Sequence, residues 1–158
     1  MEKLKNIFTW ILVIFALISI GFLLGKNSVK KNNQIEHSLK ITEDKDIVAV
    51  YYLHTTFRCV TCNTIEQMTK DLINNSYQEE LKKGKLIWRE ENFQENEDLA
   101  EKFQISSSCV VVAYISDGII KDYKRLDEVW NLIKNPENFN QYISNAIEEQ
   151  LNRLGGKI

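Results

Sequence analysis

The chain has 158 residues, which is enough for one ordinary domain and an appendage. Hydrophobic residues make up 44% of it and charged residues 27%, a balance typical of a folded globular protein rather than a disordered one. The formal net charge of -2 argues against a nucleic-acid partner, because neutralising phosphates requires clustered lysines and arginines. We therefore expect a folded domain that binds no nucleic acid.

The N-terminal segment is far more apolar than the rest of the chain. Residues 7–24 are eighteen consecutive positions without a charged side chain. As a helix they would extend roughly 27 Å, close to the thickness of the hydrocarbon layer of a bilayer. We predict one N-terminal transmembrane helix within residues 1–25, followed by a polar tether over 26–46. The alternative is a cleaved signal peptide, although its apolar core is usually shorter.

The folded domain is predicted to span residues 47–158. Residues 47–53 are rich in β-branched and aromatic side chains and predict a buried strand, and the cysteines that follow begin a helix. The later elements are a helix over 77–83, a strand over 85–90, a helix over 96–103, strands over 110–116 and 119–123 joined by an Asp117-Gly118 turn, and helices over 126–134 and 137–154. The charge run over 89–91 is predicted to be a solvated strand end. This order predicts an α/β sandwich with a mixed central sheet.

Cys59 and Cys62 lie where the first predicted strand enters the first helix. The free N–H groups and the positive dipole end of a helix N-terminus stabilise a thiolate, so Cys59 is the predicted nucleophile. Arg58 adds a positive charge next to it. Cys62 is one turn further along, where its thiolate can resolve a mixed disulfide formed by Cys59.

Two other interpretations of the cysteine pair stay open. A CxxC pair is also a common half of a zinc site, but a structural zinc site needs four ligands. Only Cys109, His37 and His54 remain as further cysteine or histidine ligands, and they form no second paired motif. The pair could also be chemically inert.

Three further residues are candidates for the site. His54 lies five positions before Cys59, where an imidazole could orient or deprotonate a thiol; it could equally be a loop histidine with a hydrogen-bonded ring. If Cys109 approaches the pair, three sulfurs would form a soft-ligand site suited to Cu(I) or trivalent arsenic. The alternative for Cys109 is a small buried apolar residue at the start of a strand.

From Ile47 to about Leu154 the chain resembles thioredoxin-fold proteins, in the segments IVAVYYLHTTFRCVTC, ENFQENEDLAEKFQI and SSSCVVVAYISDG. More narrowly, HTTFRCVTCNTIEQ is similar to the small thioredoxin-like family named as a nitrophenyl-compound nitroreductase subunit, the ArsF family. The first resemblance implies a thioredoxin-like sandwich with redox-active cysteines. The second implies association with a reductase.

The chain departs from the thioredoxin pattern at its most characteristic positions. The Trp and Gly-Pro around the cysteines are absent, and the only proline in the chain is Pro136. The register therefore puts Cys109, or Ser108, where thioredoxins carry a cis-proline. We expect a trans peptide bond there, because a cis bond before a residue other than proline costs about 3–4 kcal/mol. No carboxylate occurs in residues 47–53 to serve as a buried acid.

The sequence thus predicts a membrane-anchored thiol-disulfide oxidoreductase, or a redox-active subunit of a reductase, with Cys59 attacking and Cys62 resolving. It implies no organic cofactor, because the dithiol itself carries the electrons. The predicted partners are the membrane and a protein redox partner. The rivals are a soft-metal binding module using Cys59, Cys62 and Cys109, and a degenerate interaction domain.

The apolar N-terminal segment and the cysteine pair together predict a single-pass membrane protein with its domain on the extracytoplasmic side. A single N-terminal anchor most often exports the domain that follows it, and an oxidisable cysteine pair fits an oxidising compartment. The lysines on the two sides of residues 7–24 nearly balance, so they do not decide the orientation.

Overall fold

The computed structural model describes residues 45–155, together with Lys3, Asn6, Trp10 and residues 12–15. The chain divides into two units, Met1–Lys40 and Ile41–Ile158. Most of the predicted membrane segment and nearly all of the predicted tether lie outside the described residues. Those described within residues 1–25 are helical. Across the residues that are described, no helix combines the length and the apolar character that crossing a membrane requires.

The second unit is built on a four-stranded mixed sheet in the order β2-β1-β3-β4. Strand β1 is parallel to β2 and antiparallel to β3, and β3 is antiparallel to β4. In chain order the elements are β1 (Ile47–His54), α1 (Val60–Ser76), α2 (Gln78–Lys82), β2 (Leu86–Asn92), α3 (Glu97–Lys102), β3 (Cys109–Ser116), β4 (Ile119–Leu126), α4 (Val129–Leu132) and α5 (Pro136–Gly155). The predicted α/β sandwich with a mixed central sheet is confirmed.

The two central strands, β1 and β3, are buried on both faces. This explains why their sequences are continuous apolar runs rather than alternating apolar and polar residues. One face of the sheet packs against α1 and α5 through a single apolar cluster, which includes Val50, Val112, Ile65 and Ile143. On the other face, the ring of Phe103 packs against Tyr51, with the ring centroids 5.4 Å apart and the ring planes tilted by 53°. Successive side chains of a strand point to opposite faces, so β1 is covered along its whole length.

The predicted hairpin is present and turns at Asp117-Gly118. Both residues have positive φ, 53° and 69°, which is the conformation of a tight two-residue turn whose twist matches its strands. The helix predicted over 126–134 is shorter than expected. Leu126 instead pairs with Val110 as the last residue of β4 and is fully buried, so the chain turns helical only at Val129.

Candidate functional site

Cys59 and Cys62 form a disulfide across the first turn of α1, with their Cα atoms 5.0 Å apart. Cys59 is the N-cap of this helix, and its Sγ accepts a hydrogen bond of 3.0 Å from the backbone N–H of Cys62. Serine and aspartate usually fill such a position, where an acceptor meets the unpaired N–H groups of the first turn. The sulfur of Cys59 therefore lies where a helix best stabilises negative charge.

The disulfide is tied to the sheet through Tyr52, a buried residue of β1. Its hydroxyl donates a hydrogen bond of 2.7 Å to the backbone carbonyl of Cys62 and also interacts with the side chain of Ser108. Burial, followed by the charge of Glu66, raises the pKa of Tyr52 to about 12. The phenol stays protonated at physiological pH and is a permanent hydrogen-bond donor at this position.

Arg58 is held by two carboxylates that the sequence did not associate with the site. One guanidinium nitrogen donates to Glu66 of α1 at 2.5 Å, and the other donates to Glu90 of β2. The Glu90 side chain is 34% exposed and lies near the end of β2, as the prediction of a solvated strand end has it. Arg58 therefore lies beside Cys59 as predicted, but its charge is already paired.

The two carboxyl groups respond differently to this cluster. Burial, together with the charge of Glu90, raises the pKa of Glu66 above its ordinary value. Burial also acts to raise the pKa of Glu90, but the hydrogen bond that it accepts from Arg58 and its interaction with the Glu66 side chain outweigh that effect and lower the pKa. At moderately acidic pH, Glu66 is therefore the member of the pair that takes up a proton.

His54 ends β1 at the edge of this cluster. Its Nδ1 lies 2.9 Å from the carbonyl oxygen of Thr55, and its Nε2 lies 3.9 Å from Glu90. The ring thus faces the carboxylates around Arg58, and both of its nitrogens have neighbours within the protein.

The segment before β3 is linked to the disulfide turn through Tyr52, whose hydroxyl interacts with both Ser108 and Cys62. Ser108 and Cys109 are both buried, and Cys109 pairs in the sheet with Leu53. Burial raises the pKa of the Cys109 thiol to about 12. Within residues 45–155 no peptide bond is cis, so the bond before Cys109 is trans, as expected. Among the described side chains, no group of three or more Cys, His, Asp or Glu is arranged to hold a metal ion.

This segment is held in place by side chains from later in the chain. The indole N–H of Trp130 donates to the carbonyl of Ser108 at 2.9 Å. Arg125 donates to the carbonyl of Gln104 at 2.5 Å, where the backbone has a positive φ of 53°. Two side-chain donors thus fix a loop that has no proline of its own.

Two large apolar side chains beside the disulfide face solvent. Phe57 is 86% exposed and Val60 is 83% exposed, one on each side of Cys59. The loop that carries Phe57 is held to the segment after β2, since the backbone N–H of Thr56 donates to the side chain of Gln94 at 2.9 Å. Apolar surface is thus exposed on both sides of Cys59 in the sequence.

One feature of the sequence indicates that Glu66 lies near the cysteine pair: it follows Cys62 by four residues, and so lies one turn further along the same face of α1. No feature of the sequence indicates this for Glu90, because its position depends on the pairing of Tyr52 with Glu90 between β1 and β2.

No protein-family model matches the chain, and no curated protein sequence matches it. Among solved structures, the chain is similar to one titled "Structure of a malarial protein", at 15% identity and a TM-score of 0.40, over 64% of this chain and 98% of that one. It is also similar to chloroplastic thioredoxin z, at 15% identity and a TM-score of 0.39, over 68% of this chain and 90% of that one. At these values neither likeness assigns a function, and the similarity to the nitroreductase-subunit family stays a prediction.

Proposed function

We propose that the second unit is a thioredoxin-like domain that exchanges disulfides with a protein partner. The observation that carries the proposal is the Cys59–Cys62 disulfide closed over the N-terminus of α1, with Cys59 as the helix cap. The sheet order supports it too, because a parallel β1-α1-β2 unit followed by an antiparallel hairpin and a final helix is the arrangement that the thioredoxin resemblance implies.

The reaction needs only the two cysteines. In the reduced protein, the Cys59 thiolate attacks one sulfur of a substrate disulfide, forms a mixed disulfide and releases the other substrate sulfur as a thiolate. The Cys62 thiolate then attacks the Cys59 sulfur. This step restores the Cys59–Cys62 disulfide and releases the second substrate thiolate, so two electrons pass from the domain to the substrate. No organic cofactor takes part in either step.

Phe57 and Val60 support a protein substrate over a small molecule, because they extend the contact area on both sides of the attacking sulfur. We further propose that residues 7–24 anchor the chain in a membrane and leave the domain on the extracytoplasmic side. Labelling of intact cells with an impermeant thiol reagent tests that placement, with an accessible cysteine introduced as Ile119→Cys at an exposed position. A domain protected from an impermeant reagent until the cells are lysed would contradict it.

The central test is disulfide reduction by the full chain, measured with insulin as substrate, dithiothreitol as the reductant that regenerates the dithiol, and Cys59→Ser as the inactive variant. We expect turnover by the wild type and its loss in Cys59→Ser. Cys62→Ser should instead accumulate a mixed disulfide, which mass spectrometry detects. Absence of turnover by the wild type would overturn the proposal in favour of a metal-binding or interaction role.

The soft-metal alternative makes a separate prediction. If Cys59, Cys62 and Cys109 bind Cu(I) or arsenite together, Cys109→Ser lowers the affinity of the reduced chain by at least tenfold. An unchanged affinity removes Cys109 from any such site. A chain with neither turnover nor metal affinity would be an interaction domain.

A further inference from the structure

We propose that Glu66 and Glu90 are positioning residues of the cysteine pair, which hold the Arg58 guanidinium and keep its positive charge from stabilising the Cys59 thiolate. This inference rests on the proposed thiol-disulfide function. It adds a control on how readily the Cys59–Cys62 disulfide is reduced. It assigns a role to two carboxylates outside the CxxC motif.

The first support is the geometry of the clamp that Glu66 and Glu90 form on the Arg58 guanidinium. Arg58 directly precedes Cys59, yet its two terminal nitrogens are taken by carboxylates on two different elements, Glu66 on α1 and Glu90 on β2. Helix α1 fixes one carboxylate, and the pairing of Tyr52 with Glu90 fixes the other. A guanidinium held on two sides by packed elements cannot turn freely toward a neighbouring sulfur.

The local charge balance is the second support. With both carboxylates ionised, the cluster of Arg58, Glu66 and Glu90 carries one net negative charge. Glu66 is 15% exposed and Glu90 is 34% exposed, so water screens their interactions only in part. The other polar groups facing this cluster are His54 at the end of β1, the phenol of Tyr52 and Lys70 on α1.

A negative cluster centred on Arg58, the residue before Cys59, opposes the effect of the helix N-terminus. The helix dipole favours the thiolate, whereas the paired carboxylates disfavour it, so the thiolate is less stable than the sequence Arg58-Cys59 suggests. Because ionisation of Cys59 stabilises the dithiol form, weakening the clamp should make the disulfide easier to reduce.

The test is the equilibrium of the full chain with glutathione. In this exchange two glutathione molecules become one glutathione disulfide, and two electrons and two protons pass to the Cys59–Cys62 disulfide; a proton leaves again where Cys59 ionises. The pH profile of Cys59 alkylation by iodoacetamide gives its pKa independently. The variants are Glu66→Gln and Glu90→Gln, which keep side-chain shape and remove one charge each.

We expect each variant to lower the pKa of Cys59 and to shift the glutathione equilibrium toward the dithiol by about threefold to tenfold. A matched control is Glu149→Gln, which breaks the 2.9 Å ion pair with Lys124 and lies in α5. It should change neither quantity. An unchanged or raised pKa in folded Glu66→Gln and Glu90→Gln would overturn the inference.

A second background separates the clamp from a simple charge effect. In Arg58→Gln there is no guanidinium to release, so adding Glu90→Gln should produce less than half of the shift that it produces in the wild type. An equal shift in both backgrounds would overturn the positioning role. A wild type that does not exchange with glutathione at all would instead overturn the proposed function, which keeps the two failures distinct.

Discussion

The phenol of Tyr52 donates a 2.7 Å hydrogen bond to the backbone carbonyl of Cys62, so the sheet and the reactive turn of α1 are joined by one buried side chain. Tyr52 is fully buried in β1, and its neighbours in the sheet fix the ring. The position of Cys62 relative to the sheet therefore depends on a hydroxyl group, not only on apolar packing.

Removing that hydroxyl should cost stability without changing the fold. We expect Tyr52→Phe to lower the free energy of unfolding by about 1 kcal/mol, the usual net value of a buried hydrogen bond. Urea denaturation of the oxidised chain measures it. Tyr123→Phe, which keeps the ring contact with Phe103 at 5.0 Å, is the matched control and should lie within about 0.5 kcal/mol of the wild type. Equal stability of the two variants would show that the Tyr52 hydroxyl bond contributes nothing.

The cysteines should differ sharply in reactivity. In the reduced, folded chain at pH 8, iodoacetamide should label Cys59 first and leave Cys109 unlabelled. Cys109 is buried, and with a pKa of about 12 its thiolate fraction at that pH is on the order of one in ten thousand. Labelling of Cys109 should require denaturant. Mass spectrometry of the labelled peptides checks this, and fast native labelling of Cys109 would contradict the burial described above.

The exposed apolar pair should matter for protein substrates and not for stability. We expect Phe57→Ser and Val60→Ser each to slow insulin reduction about threefold or more, and to leave exchange with glutathione unchanged. Ile119→Ser is the matched control, since Ile119 is 57% exposed but follows the Asp117-Gly118 turn at the opposite end of β3 from Cys109. A variant pair that slows both reactions equally would point to altered chemistry instead of lost contact.

Glu90 should give the oxidised protein a pH-dependent increment of stability. Its pKa is lowered on folding, so the increment is present above the ordinary glutamate pKa and is lost as pH falls through the lowered value. We expect Glu90→Gln to reduce the free energy of unfolding at pH 7 by about 0.5 kcal/mol, because solvent screens a side chain that is one-third exposed. The difference from wild type should shrink as the pH falls below the ordinary glutamate pKa. A loss that does not change with pH would show that the cost is not electrostatic.

The parts of the fold that depend on local pattern were predictable. The apolar runs of β1 and β3 and the Asp117-Gly118 turn are encoded in neighbouring residues, and the structure confirms them. The end of β4 was not predictable, because Leu126 is placed by its pairing with Val110, sixteen residues earlier in the chain. The secondary-structure propensity of neighbouring residues does not indicate which distant strand residue will pair with them.

The site divides in the same way. The position of Cys59 and Cys62 at a strand-helix junction follows from sequence order alone. The pairing of Arg58 with Glu90 does not follow from sequence order, because 32 residues separate them and only the β1-β2 register brings them together. The exposure of Phe57 was also not evident, because an apolar residue next to a strand end is usually expected to pack inward.

The anchoring of the 104–108 loop by Arg125 and Trp130 has a consequence for biosynthesis. The ribosome completes the cysteine pair roughly 70 residues before Trp130, which corresponds to about 3–14 s at ordinary elongation rates. During that interval the loop lacks both of its side-chain donors. It can therefore take its final form only once the last third of the chain has been made.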